Sequence, residues 1–294
     1  MDELVLDDYL TRIGLTSIPT PDPEGLAMMQ RAHRQTIGFE NLDVMLGRGI
    51  RIDPPSLRAK LIEGPRRGGY CFEHNTLFGA MLAKIALENR PLLGRVWLGM
   101  EWPGDALTMP PLTHTLRLVT IAGAPWIADA GFGGSYVPPM PLVDGAEAST
   151  PDGADHRLRH IGGSGEATGE WLLERAGPAS ATDGRAQGHG AFQAQYSFGL
   201  GKVAPVDLEL SNHWTSTRPG TRFTTACLAS IVLADGFASL NGPRLSIHAG
   251  GISDVRDIAD TRAWREVLAD VFRVELTLDE VEMLGVFQRD QEDN

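Results

Sequence analysis

The spacing of apolar residues changes once along this chain, near Arg90-Pro91, and that change constrains the fold more than any other feature. Upstream, apolar side chains recur every three to four positions, the helical period. Leu4, Tyr9 and Ile13 give a helical face that ends at Gly14, and Pro19, Pro21 and Pro23 then interrupt the chain. Residues 24–36 read as a helix carrying Leu26, Met29 and His33, and 56–62 as a short helix entered through Pro54-Pro55. Phe72, Asn75, Phe78, Leu82 and Ile85 predict a helix from about residue 71 to 88. Downstream, 93–99, 113–121 and 125–128 are short, rich in β-branched, aromatic or leucine residues, and separated by Gly and Pro. They read as strands of an antiparallel sheet or barrel. Residues 144–190, rich in Gly, Ala, Ser, Asp and His, predict long mobile surface loops around one strand, 170–175, with another strand at 196–200. From Val206 the pattern is mixed: a helix over 207–217 capped by Asp207, strands at 223–233 and 244–248, and helices at 261–272 and 277–287. The end, 289–294, reads as a frayed tail. The layout predicts an α+β fold, divided as 1–90, 91–205 and 206–294.

Composition narrows the function. The 294 residues carry 26 Lys plus Arg against 38 Asp plus Glu, a net charge of −12. An acidic chain without a basic stripe is ill suited to nucleic acid or an anionic membrane surface. Cys71 and Cys227 are the only cysteines, too few for a disulfide framework or a Cys-rich metal site. Met1-Asp2-Glu3-Leu4 lacks the basic start and apolar core of a signal peptide, and no uncharged apolar stretch is long enough to span a bilayer. The expected home is the reducing cytoplasm.

Cys71 is the candidate nucleophile. It follows Arg66-Arg67-Gly68-Gly69-Tyr70 and opens a predicted helix, where unpaired N–H groups and the helix dipole favour a thiolate. A cysteine nucleophile needs a base, and the base needs an orienting group. His114 heads one predicted strand and Asp129 ends the next, with Ile121-Ala122-Gly123-Ala124-Pro125 as the hairpin turn between them. An antiparallel hairpin puts the head of one strand beside the tail of the next, so His114 and Asp129 become neighbours. That ladder does not by itself bring Cys71 to them. Each residue also has a plain structural reading: a small core thiol, a satisfied structural histidine, a turn aspartate before glycines. Gly131-Phe132-Gly133-Gly134 has no Walker lysine and is not a dinucleotide fingerprint.

Arg66-Arg67-Gly68-Gly69-Tyr70-Cys71-Phe72-Glu73-His74-Asn75 resembles the active-site motif of the arylamine N-acetyltransferases. Phe39-Glu40-Asn41-Leu42-Asp43-Val44 resembles that family's N-terminal motif, and Thr113-His114 and Asp129-Ala130-Gly131-Phe132-Gly133 its histidine and aspartate segments. Asn212-His213-Trp214-Thr215-Ser216-Thr217 and Arg244-Leu245-Ser246-Ile247-His248 are similar to its C-terminal half, and the match keeps one order from about Tyr9 to His248. The resemblance implies a cysteine-protease-like Cys-His-Asp core in three domains. A helical bundle (1–90) would carry the nucleophile, a β-barrel (91–205) the histidine and aspartate, and residues 206–294 an interdomain helix and an α/β lid. It implies a triad of Cys71, His114 and Asp129. An acetyl group would pass from acetyl-CoA, a co-substrate, through a Cys71 thioester to an arylamine or arylhydrazine, with no permanently bound cofactor and no metal.

Other positions receive softer roles. The backbone N–H of Phe72 is a candidate oxyanion donor, since it follows the nucleophile at a helix start. Phe39, Phe72 and Phe132 are candidate walls of an arylamine pocket, or else ordinary core aromatics. Gly131, Gly133 and Gly134 are candidates to let the CoA pantetheine approach the backbone, and Trp214, Ser216 and Thr221 are further CoA candidates. Arg67 is expected to pair with Glu40 or Glu73 beneath the loop. His74 either modulates the thiol or faces away, and Cys227 reads as a buried inert thiol in an apolar strand. Competing functions are an amide synthase that releases or cyclises a polyketide, a Cys-His-Asp hydrolase or transglutaminase-like enzyme, and a binding protein that retains the fold.

Overall fold

Capping chemistry sets the first elements. Helix α1 (Leu6–Ile13) stops where Gly14 takes a left-handed φ of 77° and turns its N–H back to the carbonyls of Leu10 and Thr11. In α2 (Pro23–Thr36), Asp22 caps the first turn through Gly25 N–H, and Pro23 sits where a missing N–H costs nothing. The chain continues through β1 (Phe39–Glu40), α3 (Leu42–Met45) and α4 (Pro54–Leu57), whose first turn contains the two prolines. A π-helical stretch, Arg58–Glu63, follows directly. Helix α5 (Cys71–Lys84) is shorter than the periodicity predicts. Ala86 takes a left-handed φ of 63°, and Glu88 already pairs with Thr120. The apolar faces of α1, α2 and α5 meet in one cluster with Tyr9, Leu26, Met29, Phe78 and Leu82, closed from the sheet side by Val119 and Ile121. The computed structural model describes residues 4–103, 108–186 and 190–287; the acidic start, Met1-Asp2-Glu3, and the tail at 289–294 lie outside them.

Strands β2 (Glu88–Val96), β3 (Leu112–Ile121), β4 (Ala124–Ala128), β5 (Met140–Pro141), β6 (Glu147–Ser149), β7 (Asp155–His160), β8 (Trp171–Ala176) and β9 (Gln193–Phe198) form an antiparallel sheet ordered β5-β4-β3-β2-β9-β8-β7-β6. It rolls into a nearly closed barrel around Leu92, Leu116, Ile127, Leu158, Leu173 and Phe198. Pro91 is tolerated inside β2 because β9 pairs only with Gly94–Val96, leaving that side of the strand open at Pro91. Ala122 and Gly123, both at positive φ, make the tight turn expected between β3 and β4. The reading of 144–190 as loops around one strand is corrected, since β6 and β7 are paired strands there. In β7, His156 and Leu158 are buried, while Arg157 and Arg159 bind Glu174 on β8. The polar composition of this run hides its alternation.

The C-terminal part starts with α6 (Pro205–Thr217) and α7 (Arg222–Thr225). Asp207 does not cap α6; it sits in the first turn and accepts from Ala204 N–H at 2.9 Å. The strand expected from residue 223 begins only at Leu228, because 222–225 are helical. Strands β10 (Leu228–Val232), β11 (Gly236–Asn241), β12 (Arg244–Ala249) and β13 (Ile252–Asp257) make a second antiparallel sheet, ordered β1-β10-β11-β12-β13. The sequence reading missed β11 and β13, although Asn241-Gly242 and Gly250-Gly251 are hairpin turn signals. Helices α8 (Thr261–Asp270) and α9 (Leu278–Met283) cover this sheet, with Trp264, Leu268 and Phe272 against Ile231, Leu240 and Leu245. Thr277 caps α9, which is shorter than expected. Among the described residues no helix is long and apolar enough to cross a membrane.

β1 stitches the parts together. Phe39 pairs with Ser230 of the second sheet and bridges to Gly69, just ahead of Cys71. Asn41 secures the junction: its amide donates to the Phe223 and Ala226 carbonyls at 2.8 Å each and accepts from Leu228 N–H at 2.8 Å. Asn41→Ala is therefore expected to lower the unfolding free energy by about 2–4 kcal/mol, the loss of three bonds made by a buried side chain. Denaturant melts check this; a change under about 0.5 kcal/mol would show that β1 is held by its ladder alone.

Candidate active site

The loop before Cys71 is built on backbone contact that only glycine permits. Gly69 N–H bonds Gly38 O and Glu40 N–H bonds Gly69 O. A Cβ on Gly68 would lie 2.0 Å from Gly38 O. Beneath the loop, three carboxylates meet two cations. Arg67 binds Glu40 at 3.2 Å and Asp43 at 2.7 Å, whereas Lys60 binds Glu73 at 2.7 Å and Asp43 at 2.8 Å. Of the two partners expected for Arg67, the structure gives it Glu40 and assigns Glu73 to Lys60. The second Glu73 oxygen accepts from Tyr70 N–H at 3.0 Å, which fixes the start of α5. Burial pushes the Asp43 carboxyl up, but Lys60 and Arg67 outweigh it and hold the group down at about 2.

Cys71 is the first residue of α5 and is buried, its Sγ 3.5 Å from the Thr113 carbonyl oxygen. His114 lies near the start of β3, and its Nε2 contacts the Asp129 carboxylate at 2.7 Å. The β3–β4 ladder ends at Arg117–Ala128, so His114 and Asp129 are not a cross-strand pair; their side chains close the gap. The ring nitrogen left over, Nδ1, is the one available to hydrogen-bond Cys71. Burial alone would push the imidazole down. The charge and hydrogen bond of Asp129, and then those of Cys71, reverse this and push it up to about 10. For Asp129, burial acts upward and is outweighed by His114, Asn75 and Gly131, so its pKa is lowered.

Asn75, one helical turn after Cys71, joins the helix to this pair. Its amide donates to Asp129 at 3.0 Å and to Thr115 O at 2.6 Å, and its carbonyl accepts from Ala130 N–H at 2.9 Å. Gln30 of α2 accepts from Asp129 N–H at 2.8 Å. Asn75, Gln30, Lys60 and Asp43 were not singled out by sequence reasoning. The signal for Asn75 was a polar residue four positions after Cys71 on an otherwise apolar helix face.

A cavity of about 290 Å³ opens onto Cys71 and His114. Phe39, Phe132, Gly131, Gly133, Gly134, Trp214 and Thr221 all line it. Phe72 does not: its ring is buried 5.6 Å from that of Tyr70, because residue 72 faces another side of the helix. Its backbone N–H lies in the first turn of α5, where no helical carbonyl is available to it. Ser216 is also outside the cavity, and its hydroxyl bonds Asn212 O at 2.8 Å on its own helix. The glycines serve close packing, since a Cβ on Gly131 would lie 2.7 Å from Cys71 Cα and one on Gly133 2.5 Å from the Phe39 ring. His74 faces away from the thiol in a buried chain, Tyr9–His33–His74–Gly38 O. Burial above all pushes its pKa down to about 3, so it is neutral. Cys227 is buried in the second sheet's core, just ahead of β10 rather than in a strand. Among the described residues no cluster of side chains is arranged to hold a metal ion.

The sequence pattern of the N-acetyltransferase family matches residues 22–281. The arylamine N-acetyltransferase of Mycolicibacterium smegmatis is 34% identical over 254 residues, 85% of this chain and 84% of that protein. The arylamine N-acetyltransferase / N-hydroxyarylamine O-acetyltransferase of Salmonella typhimurium is 36% identical over 232 residues, 79% of this chain and 74% of its own. Among solved structures, the Salmonella typhimurium arylamine N-acetyltransferase aligns with a TM-score of 0.83 at 31% identity, over 96% of this chain and 98% of that one. The Mycobacterium marinum arylamine N-acetyltransferase in complex with CoA aligns with a TM-score of 0.80 at 30% identity, over 95% and 98%. With the α+β fold and a cavity that opens on a buried cysteine and histidine, these likenesses show that the chain belongs to the arylamine N-acetyltransferase family.

Proposed function

We propose that this protein transfers an acetyl group from acetyl-CoA, through a thioester on Cys71, to an arylamine or arylhydrazine in the cytoplasm. The observation that carries the reading is a cysteine at a helix N-terminus and a histidine bonded to a buried aspartate that raises its pKa, both at the edge of an apolar cavity. The imidazolium and the α5 dipole both stabilise a sulfur anion. Cys71 Sγ attacks the acetyl carbonyl carbon, the bond from that carbon to the CoA sulfur breaks, and the CoA thiolate leaves with the His114 proton. In this reading the Phe72 N–H, in the first turn of α5, stabilises the intervening oxyanion. Acetylation removes the charge and hydrogen bond by which Cys71 raises His114, so the imidazole pKa falls. The neutral ring then accepts the amine's proton as the amide forms and the Cys71 thiolate departs.

Phe39 and Phe132 supply flat apolar walls suited to an aromatic ring. Aryl amines are also neutral and nucleophilic at pH 7, whereas alkylamines are mostly protonated there.

Mixing with acetyl-CoA, without an acceptor, is expected to add one acetyl group to Cys71, and an arylamine is expected to remove it. Intact mass and peptide mapping check this; label on Cys227, or on no residue, would refute the proposal. Asp129→Asn is expected to slow acetylation at least about a hundredfold, and adding His114→Gln to that variant is expected to change the rate little further, because the residues act as one unit. Additive losses in single-turnover rates would contradict this. The rate of Cys71 acetylation is expected to fall as pH rises through about 10, where His114 loses its proton. The acceptor half-reaction is expected to rise with pH about an ionisation below that value. Stopped-flow pH profiles of the two half-reactions test the order, and identical profiles would contradict it.

A further inference from the structure

Three buried groups outside the cavity form a hydrogen-bonded chain that can run in one direction. Tyr9 of α1, His33 of α2 and His74 of α5 are each fully buried. The Tyr9 hydroxyl lies 2.8 Å from His33 Nδ1, His33 Nε2 lies 2.7 Å from His74 Nδ1, and His74 Nε2 lies 3.2 Å from Gly38 O. Unlike His114, neither imidazole meets a carboxylate among the described residues. Burial above all lowers the pKa of both rings, and Arg34 adds to it in each case, so both are neutral. A neutral imidazole has one N–H and one lone pair. A carbonyl oxygen only accepts, so His74 carries its proton on Nε2. Its Nδ1 must then accept, which puts the His33 proton on Nε2 as well. His33 Nδ1 is left to accept from the Tyr9 hydroxyl. The acceptor at Gly38 thus fixes the tautomers of two rings.

The chain ends where the helices meet the cavity. Gly38 O also accepts from Gly69 N–H at 3.2 Å, and Gly38 precedes Phe39, whose ring lines the cavity. The His74 ring lies nearly parallel to that of Phe39, with centroids 6.4 Å apart and planes 10° apart. The Phe39 ring is close against Gly133, where a Cβ would lie 2.5 Å from it. A shift of the Gly38 peptide therefore moves an aromatic wall of the cavity. Cys71 is held by other bonds. Glu73 accepts from Tyr70 N–H, and Asn75 ties α5 to Asp129, and neither bond involves His74. Breaking the chain is thus expected to disturb the wall and spare the thiol.

We propose that His74, locked in its Nε2–H form by His33 and Tyr9, is a positioning residue that fixes the Gly38 carbonyl and, through it, the Phe39 wall against which an aromatic acceptor packs. The acceptor's part rests on the acyl-transfer reading above; the order of tautomers does not. Two-bond ¹H–¹⁵N correlation spectra of the unacetylated protein report the tautomers, with the rings assigned by His33→Gln and His74→Gln. Both rings are expected to be neutral with the proton on Nε2 at neutral pH, and a charged ring or a proton on either Nδ1 would overturn the chain. Steady-state kinetics test the wall, since in a ping-pong scheme kcat/KM for each substrate reports its own half-reaction. His74→Leu, which removes the donor to Gly38 O, is expected to lower kcat/KM for an arylamine about tenfold and that for acetyl-CoA less than about threefold. His74→Gln keeps a donor for Gly38 O and an acceptor for His33, and its arylamine value is expected to stay within about threefold of wild type. His74→Phe, which keeps a ring and removes both nitrogens, serves if His74→Leu does not fold and is expected to show the same split. Equal falls in both constants would reduce His74 to a core filler. No fall, or a His74→Gln variant as poor as His74→Leu, would also overturn the proposal. A protein with both tautomers as assigned that never acetylates Cys71 would refute the acyl-transfer reading and uphold the chain.

Discussion

The organisation of this protein depends on the buried carboxylate of Asp129. An ionised carboxylate without solvent is costly unless each oxygen is matched, and removing one partner of such a group costs more than the contact itself is worth. Here one oxygen meets His114, and the other accepts from Asn75 and from Gly131 N–H. Those partners come from β3, from α5 and from the chain just beyond β4. Satisfying Asp129 therefore docks the barrel against the helix that carries Cys71. It also leaves His114 with one nitrogen committed and the other directed at the thiol, the arrangement that nucleophilic cysteine chemistry needs.

The loop ahead of Cys71 obeys a similar rule. Glu40, Asp43 and Glu73 would repel one another beneath Gly68-Gly69 without Lys60 and Arg67 among them. The folded-state pKa of Asp43 lies below its unfolded value. Its stabilising contribution is therefore present above about pH 4 and is lost as pH falls through about 2. Glu40 belongs to β1, so the network also ties the second sheet to the loop ahead of Cys71. The contacts that place Cys71, His114 and Asp129 are also packing contacts, which explains why glycines at 68, 69, 131 and 133 are fixed by clashes with backbone or core side chains rather than by turns.

Much of this was legible in the sequence because local signals sufficed. Gly14, Asp22-Pro23 and Ala122-Gly123 mark ends and turns through their own backbone preferences, and the structure places breaks at each. The pairing of His114 with Asp129 followed from hairpin geometry, although the ladder itself stops short of them. The approach of Cys71 did not follow from spacing, since it depends on Asn75 and Gly131, contacts far apart in sequence. Strands β7 and β13 were missed because their faces are polar: β13 is exposed throughout, and β7 hides two buried positions among arginines and histidines. The direction of Phe72 and Ser216 was likewise illegible, because motif membership fixes a residue's position along a helix and not the side it presents.

The central claim is that Asp129 keeps His114 protonated beside Cys71 in the resting protein. A titration of ¹⁵N-histidine-labelled protein by nuclear magnetic resonance, with His114 assigned by substitution, tests it most directly. The account predicts an imidazolium throughout the neutral range that loses its proton near pH 10, with an ordinary or lower ionisation in Asp129→Asn. A neutral His114 ring at pH 7 in the unmodified protein would contradict it.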